Sequence, residues 1–144
     1  MRCVALLILL LTSFSYADSG INRQLEFEGA YVRGMPPGQK TTAAFGVLNN
    51  MSNKDALLTS LNSSVAEKVE LHTHTMNAGT MQMRKLESLL VPAKAKIIFE
   101  SGGKHIMLMG LKKTLIEGEE LVIEFCFEQL CSSMAFPVIS VLNE

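Results

Sequence analysis

The sequence predicts an all-β protein whose strands form an antiparallel β-sandwich. About nine short segments alternate apolar and polar residues with a period of two, and they follow one another at intervals of roughly 8–14 residues. Glycine, proline, asparagine and serine cluster between these segments, where turns of the chain are expected. No segment keeps a 3.6-residue apolar period over three turns, so we do not expect helices to build the core.

The predicted strands are, in chain order, 24–33, 43–48, 56–61, 68–75, 80–86, 95–99, 104–109, 121–127 and about 134–142. The first is half-buried, with Leu25, Phe27 and Tyr31 on one face. Pro36-Pro37-Gly38 ends it, because two prolines remove two hydrogen-bond donors. Pro137 lies inside the last segment, which predicts an edge strand or a bulge at that point.

The first 17 residues have the pattern of a cleaved secretory signal peptide. Arg2 supplies a positive start, residues 4–11 are an uninterrupted apolar run, and Ser15-Tyr16-Ala17 is a small-x-small cleavage site. The run is too short to span a bilayer, which takes about 20 residues. Cys3 precedes the run, unlike the lipidated cysteine that follows the apolar region of a lipoprotein signal. We therefore expect an exported protein whose single domain is residues 18–144.

Size and charge limit the functions open to this domain. Removing 17 of 144 residues leaves 127, enough for one domain with a real core. Removing Arg2 from 13 basic residues leaves 12 against 14 acidic residues, a formal net charge of −2. The absence of a Lys/Arg run argues against nucleic acid and anionic membrane surfaces as partners. No later stretch is apolar enough to predict stable membrane insertion.

Residues 71–109 contain the side chains from which a function can be predicted. All three histidines of the chain and five of its nine methionines lie there: His72, His74, His105, Met76, Met81, Met83, Met107 and Met109. In the strand 104–109, His105 and Met107 share one face with Met109, where an ordinary sandwich strand carries Thr, Lys or Glu. Same-face neighbours are about 6.6 Å apart, a gap that flexible methionines can close around one ion.

Such a donor set favours copper(I). Thioether sulfur is soft and neutral, whereas Zn²⁺ favours imidazole, thiolate and carboxylate, and Mg²⁺ or Ca²⁺ favour oxygen. The absence of thiolates from the set suits a carrier that must release its ion. A single methionine or histidine would more often be a residue that fills a gap in the core. The joint spacing H-x10-M-x21-H-x-M, formed by His72, Met83, His105 and Met107, is far rarer by chance.

This spacing resembles the hallmark of the periplasmic copper chaperone family PCu(A)C. Further blocks that look like the family's are Ala30-Tyr31-Val32-Arg33 before Pro36-Pro37-Gly38, Val69-Glu70-Leu71-His72, Met81-Gln82-Met83-Arg84 and His105-Ile106-Met107-Leu108-Met109-Gly110-Leu111. The resemblance implies a cupredoxin-like antiparallel β-sandwich of Greek-key topology, with Cu(I) bound by the four hallmark residues. It also implies delivery of the copper ion in the periplasm to the dinuclear copper centre of cytochrome c oxidase subunit II, directly or through another copper-assembly protein.

Four residues of the segment fall outside the hallmark, and packing or a solvent-facing position is the simpler interpretation of each. They are His74, Met76, Met81 and Met109. Met109 is a candidate substitute ligand because it shares the face of His105 and Met107. Met81 is another because it shares the face of Met83, and His74 stays open as a competitor. We expect the site to be exposed at one end of the sandwich.

Cys126 and Cys131 are the two cysteines left after signal cleavage. An exported protein meets an oxidising compartment, so an even pair suggests a disulfide first. If residues 127–130 form a four-residue hairpin loop, the two cysteines lie opposite each other on adjacent strands. We favour a structural disulfide, or two buried thiols, over a second copper site. The chain ends without the His- and Met-rich tail of some PCu(A)C members, so we expect one principal copper site.

Other functions remain as alternatives. An electron-transfer cupredoxin needs a cysteine thiolate, two histidines and a weak axial methionine, but no histidine follows Cys126. An extracytoplasmic copper-binding or redox protein would bind the ion without delivering it, and a structural β-sandwich would not bind it. We do not expect an enzyme, because the chain lacks a Ser-His-Asp order, a nucleophile elbow and a metal-hydrolase motif.

Overall fold

The computed structural model describes residues 24–128 and 130–140, and its regular elements are β-strands. They are β1 (Leu25–Gly34), β2 (Thr41–Asn50), β3 (Ala56–Asn62), β4 (Lys68–Asn77), β5 (Thr80–Leu86), β6 (Leu89–Val91), β7 (Lys96–Phe99), β8 (His105–Met109), β9 (Glu120–Phe127) and β10 (Leu130–Ser140). The predicted signal peptide, residues 1–17, lies outside the described residues. Within those residues there is no helix with the length and hydrophobicity needed to cross a membrane.

The strands form one sheet that closes on itself. Neighbouring strands follow the order β5-β4-β8-β2-β1-β10-β9-β3-β6, and β7 pairs with β2. A bridge between Leu61 and Val69 joins β3 to β4, so seven strands form a closed ring, and β5, β6 and β7 extend it at its margins. The all-β architecture predicted from the alternation of apolar and polar residues is therefore confirmed.

One pairing of the named strands departs from the antiparallel prediction. β1 and β10 run parallel, with Val32 paired to Val138 and Gly34 to Ser140. Hairpin-connected strands must be antiparallel, but these two strands come from opposite ends of the chain and no hairpin constrains their direction. The sheet is therefore mixed.

The core lies inside the ring and is rich in aromatic side chains. The ring centroid of Phe27 is 5.0 Å from those of Phe125 and Phe136, and 5.6 Å from that of Phe99. Full burial of one such side chain contributes roughly 1.5–3 kcal/mol. On β8, Ile106 and Leu108 are fully buried in this core, as predicted. The residues that alternate with them therefore face outwards.

A bulge in β1 changes which face its residues occupy. The register with β2 shifts between Glu28 and Tyr31, where Gly29 has a φ of +59°, a conformation that favours glycine. Phe27 packs in the core, whereas Tyr31 lies on the outer face with its ring centroid 5.2 Å from that of Phe45. The prediction that Phe27 and Tyr31 share a face is wrong, because the bulge between them shifts the alternation of side chains from one face to the other.

β6 and β10 also differ from their predictions. β6 was not predicted, because Leu89–Val91 is too short to show alternation. An edge strand or a bulge was predicted at Pro137. β10 lies between β9 and β1, so the edge strand is wrong, and the register of residues 130–137 with β9 has no shift that would mark a bulge. Pro137 ends the register with β9, and the register with β1 begins at Val138. Pro137, which lacks an amide hydrogen, therefore lies at the boundary between the pairing with β9 and the pairing with β1.

Candidate metal centre

Strand register brings the predicted ligands together on one face of the sheet. His72 on β4 is paired with His105 on β8, and His74 on β4 is paired with Met83 on β5. Because the alternate residues of β8 are buried in the core, His105 and Met107 project from the outer face. The four predicted ligands thus lie on three neighbouring strands.

A two-residue turn fixes the β4–β5 hairpin. Ala78 and Gly79 both have positive φ, 48° and 80° respectively. Positive φ at both central residues is the geometry of a type I′ turn, whose twist matches that of the flanking strands. The turn predicted at Asn77-Ala78-Gly79 is confirmed, and it sets the register that places His74 opposite Met83.

A shallow pocket of about 220 Å³ opens on this outer face. It is lined by Arg33, Ala43, Phe45, His74, Met83, Ser101, Gly102, His105 and Met107. Three of the predicted ligands, Met83, His105 and Met107, line the pocket, and His74 joins them. His72 does not line it, but its ring centroid is 6.0 Å from that of His105.

The site is more enclosed than predicted. His105 is only 4% exposed, whereas Met83 is 49% exposed. The exposure of Met107 is intermediate between those of His105 and Met83. The side chain of Met83 is therefore more accessible from solvent than the imidazole of His105.

His105 is held as a neutral imidazole with one nitrogen available. Its Nδ1 lies 3.1 Å from the carbonyl oxygen of Gly103, so Nδ1–H donates to that oxygen and Nε2 keeps its lone pair. Burial lowers the pKa of His105 below its ordinary value, and the charges of His74 and His72 act in the same direction. The Gly103 carbonyl opposes this shift but does not cancel it. A neutral imidazole at neutral pH is the form that binds a metal ion.

His72 has one satisfied nitrogen and one orphan. Its Nε2 lies 3.0 Å from Oε2 of Glu70, which accepts a hydrogen bond from Nε2–H. Its Nδ1 is buried and has no hydrogen-bond partner. A buried polar atom without a partner costs about 1–3 kcal/mol. A soft cation bound to Nδ1 would remove that cost, so the residues present fit a metal ion.

Glu70 is the site residue that the sequence-based prediction missed. The hydrogen bond to His72 holds the pKa of Glu70 below its ordinary value, and the charge of Lys85 acts in the same direction. The Nζ of Lys85 is 3.8 Å from Oε1 of Glu70. The signal was present in the sequence, because residues two apart on a strand share a face, but only atomic positions show which nitrogen of His72 the carboxylate engages.

His74 is the best placed of the alternative ligands. Its ring centroid is 5.1 Å from that of His105, closer than that of His72. Its Nδ1 lies 3.4 Å from the same Gly103 carbonyl that His105 engages. His74 and His105 therefore share one acceptor, the carbonyl oxygen of Gly103.

The two methionines considered as substitutes do not line the pocket. Met109 is two residues beyond Met107 and is paired with Thr41 and Lys68, away from the histidines. Met81 is 58% exposed near the end of the β4–β5 hairpin. Neither position brings a sulfur to the pocket wall in this structure.

Cys126 and Cys131 form the predicted disulfide. They are directly paired across β9 and β10, with an S–S distance of 2.02 Å. Together with Glu124 they are the one group of three His, Cys, Asp or Glu side chains within the described ranges whose ligand atoms all lie within 4.8 Å of one another. Since the two sulfurs are bonded to each other, this group offers no thiolate to a metal ion.

The hairpin that carries the disulfide is tighter than predicted. The strands pair as far as Phe127 and Leu130, so two residues connect them instead of four. Glu128 in this connection has a φ of 27°. The pairing of the cysteines is unaffected by the shorter loop, because both loop lengths keep them opposite each other.

A larger groove, of about 540 Å³, lies between β3 and β4 near the bridge that closes the ring. Serine, glutamate, lysine and aliphatic residues line it, without an imidazole or a thioether. The chemistry of the lining side chains, not the size of the cavity, therefore distinguishes the candidate metal centre from this groove.

Comparison with known proteins relates this chain to putative lipoproteins. A family model described as "Putative lipoprotein LpqE-like" matches residues 25–138. The curated "Putative lipoprotein Lxx21020" of Leifsonia xyli subsp. xyli (strain CTCB07) is 34% identical over 103 residues, which cover 70% of this chain and 62% of that protein. The matched region thus spans less than two thirds of that relative.

Solved structures with the same fold are copper-related domains. The copper-bound PCuAC domain from PmoF2 superposes with a TM-score of 0.68 at 16% identity, covering 81% of this chain and 93% of that domain. Apo-DR1885 from Deinococcus radiodurans gives 0.65 at 26% identity, covering 99% and 96%. Its Cu(I)-bound form gives 0.59 at 30% identity, covering 76% and 74%. The predicted cupredoxin-like β-sandwich is confirmed by these superpositions.

Proposed function

Because this chain belongs to the LpqE-like family and has the fold of PCuAC domains, we propose that it is an extracytoplasmic copper carrier, which binds one Cu(I) ion and passes it to another protein. The lipoprotein names of the family and of its relative support a location outside the cytoplasm. The Cu(I)-bound form of DR1885 supports Cu(I) as the cargo.

Two imidazoles and two thioethers on one face of the sheet support this proposal most directly. In the proposal His72, Met83, His105 and Met107 hold the ion, His72 through Nδ1 and His105 through Nε2. The orphan Nδ1 of His72 adds to this support, because a buried lone pair without a hydrogen-bond donor is available to coordinate a cation. Soft neutral sulfur selects Cu(I) over the commoner divalent ions.

The same donor set suits release as well as binding. Neutral ligands leave the ion with its single positive charge, and a partner's thiolates or imidazoles can replace the thioethers one at a time. Met83 is half-exposed at the pocket mouth, where a partner's ligand can reach the ion first. The acceptor that we propose is the dinuclear copper centre of cytochrome c oxidase subunit II in the periplasm, reached directly or through another copper-assembly protein.

An anaerobic Cu(I) competition titration with a chromophoric chelator tests the binding step. We expect one tight equivalent for the purified protein, weakened in both Met83→Leu and Met107→Leu, which keep apolar bulk but remove the sulfur. Met51→Leu is the matched control, since Met51 is 58% exposed and lies outside the site. Binding that is indifferent to Met83→Leu and Met107→Leu would refute the ligand set.

Delivery needs a separate measurement. The Cu(I)-loaded protein is mixed with the copper-free soluble domain of cytochrome c oxidase subunit II, and samples are then oxidised by one electron per centre with ferricyanide. Visible absorption measures the mixed-valence dinuclear centre that results, because two Cu(I) ions alone are colourless. Transfer that occurs no faster than from free chelated copper would leave a binding protein without a delivery role.

A further inference from the structure

The end of the β4–β5 hairpin carries two large apolar side chains that the fold leaves in solvent. Met76 is 67% exposed and Met81 is 58% exposed. They are paired directly across the two strands, one pair before the residues that flank the turn. Neither packs against the hydrophobic core and neither lines the metal pocket. Single exposed apolar residues are common on protein surfaces, but a matched cross-strand pair of thioethers needs a reason.

Met76 and Met81 lie next to His74 and Met83, the residues of the same hairpin that line the pocket. Met76–Met81 and His74–Met83 are successive pairs on the same face, because the intervening pair points to the other face. Successive same-face pairs are about 6.6 Å apart along the strands. From the hairpin end inwards, exposure falls from 67% at Met76 through 49% at Met83 to 4% at His105. Thioether sulfurs therefore lie at successive positions on one face of the hairpin, from the solvent-exposed end towards the buried imidazole of His105.

We propose that Met76 and Met81 form a second, outer Cu(I) site, through which the ion enters and leaves the pocket. Cβ atoms of directly opposite residues lie about 4.5–5.5 Å apart, and the flexible methionine side chain lets both sulfurs reach one ion. The inference rests on the proposed function, since it takes the pocket as the principal copper site.

Two thioethers alone bind the ion more weakly than the proposed set of His72, Met83, His105 and Met107, as a transit site requires. In the transfer step the copper–sulfur bonds to Met76 and Met81 break one after the other while bonds to Met83 and then His105 form. The copper stays Cu(I) throughout, and no proton or electron changes place. Release to a partner follows the same steps in reverse.

The double variant Met76→Leu/Met81→Leu tests this site, because leucine keeps the apolar volume and removes both sulfurs. Met51→Leu is the control, since Met51 is as exposed as Met81 but lies in the loop after β2. Equilibrium affinity is measured by chelator competition, and the rate of Cu(I) exchange with the chelator is measured by stopped flow. Methionine methyl NMR during the Cu(I) titration reports which sulfurs engage the ion.

We expect the double variant to keep its affinity within about twofold and to exchange Cu(I) about tenfold more slowly. Met51→Leu should match the parent protein in both measurements. In the parent, the methyl signals of Met83 and Met107 should shift with the first equivalent, and those of Met76 and Met81 with a weaker second one.

Two results would overturn the outer site. An exchange rate unchanged in the double variant would show that Cu(I) does not enter or leave the pocket through Met76 and Met81. A large loss of affinity in the double variant would make these methionines ligands of the principal site instead. Failure of the proposed function looks different, because the parent protein would then bind no tight equivalent and the Met83 and Met107 signals would not move.

Discussion

His72 donates a hydrogen bond from Nε2 to Oε2 of Glu70, 3.0 Å away, and its other ring nitrogen is buried without a partner. The carboxylate therefore fixes which tautomer His72 adopts and directs the lone pair of Nδ1 away from solvent. Carboxylates that engage the second nitrogen of a metal-binding histidine commonly orient the ring and make it more basic. Glu70 is thus a positioning residue for the site that we propose.

Removing the acceptor should weaken copper binding. We expect Glu70→Leu to lower the Cu(I) affinity by about 10–100-fold, because partners of this kind typically contribute that much. Glu70→Gln keeps an oxygen acceptor and should lose only a small part of the affinity. Glu87→Gln is the control, since Glu87 also faces Lys85 but is 84% exposed and does not touch His72. Equal affinities for Glu70→Leu and the parent protein would exclude the positioning role.

The buried His105 should make the copper-free protein less stable as the pH falls. Burial lowers the pKa of His105 in the folded state below the ordinary value of 6.5 that it has in the unfolded chain. Below that pH the unfolded state binds a proton that the folded state resists, so the free energy of unfolding decreases. Above it both states are neutral and this contribution is constant.

Urea denaturation of the copper-free protein between pH 7.5 and pH 5 measures this loss. Glu70 also makes the folded protein less stable as the pH falls, but this loss occurs at a lower pH than that of His105, since the folded pKa of Glu70 lies below 4.5. We therefore expect the decline in this window to be largely absent in His105→Phe. A parent protein whose stability is flat over the same window would contradict the burial effect.

Features that depend on residues close in the sequence could be predicted, and features that depend on irregularities or distant contacts could not. Ile106 and Leu108 could be placed in the core, and Met107 outside it, because alternation is a local property of one strand. That Tyr31 lies on the outer face could not be predicted, because the bulge at Gly29 interrupts the alternation. The face of β1 that borders the pocket depends on this one irregularity.

The candidate site shows the same division. The spacing of His72, Met83, His105 and Met107 marked them as a set, but the register that pairs His72 with His105 joins strands far apart in the sequence. No local pattern encodes that register. Likewise, Glu70 was visible on the face of His72, but its role depends on one hydrogen bond.

The bulge in β1 is supported by a close approach across the sheet, which gives a prediction about stability. Gly46 has a φ of +141°, and a Cβ there would lie 3.0 Å from the Cα of Ala30 and 3.1 Å from Cδ1 of Phe27. We expect Gly46→Ala to lower the free energy of unfolding by about 1–3 kcal/mol, through backbone strain and displacement of its neighbours.

Gly38→Ala separates the two causes. Gly38 also has a positive φ, +90°, but its Cβ would meet nothing within 4 Å. It should therefore show the cost of backbone strain alone, and the difference between the two variants in urea denaturation measures the crowding at the bulge. Equal losses would mean that the approach of Ala30 to Gly46 is relieved at no cost.

The disulfide should stabilise the fold without taking part in copper binding. Cys126 and Cys131 are separated by five positions and close a short loop, so their bond should contribute about 2 kcal/mol by restricting the unfolded chain. We expect the double variant Cys126→Ser/Cys131→Ser to lose about that much in urea denaturation. Its Cu(I) stoichiometry and affinity should equal those of the parent, because the ligands we propose lie on other strands.

Absorption of the Cu(II) form checks the same point from another direction. An intense blue band requires a cysteine thiolate on the copper, and both cysteines of the described residues are in the disulfide. The oxidised protein should therefore lack that band. If the serine double variant loses its tight Cu(I) equivalent, or if the parent shows the band, the copper is held at the β9–β10 hairpin and the His/Met pocket is not the principal site.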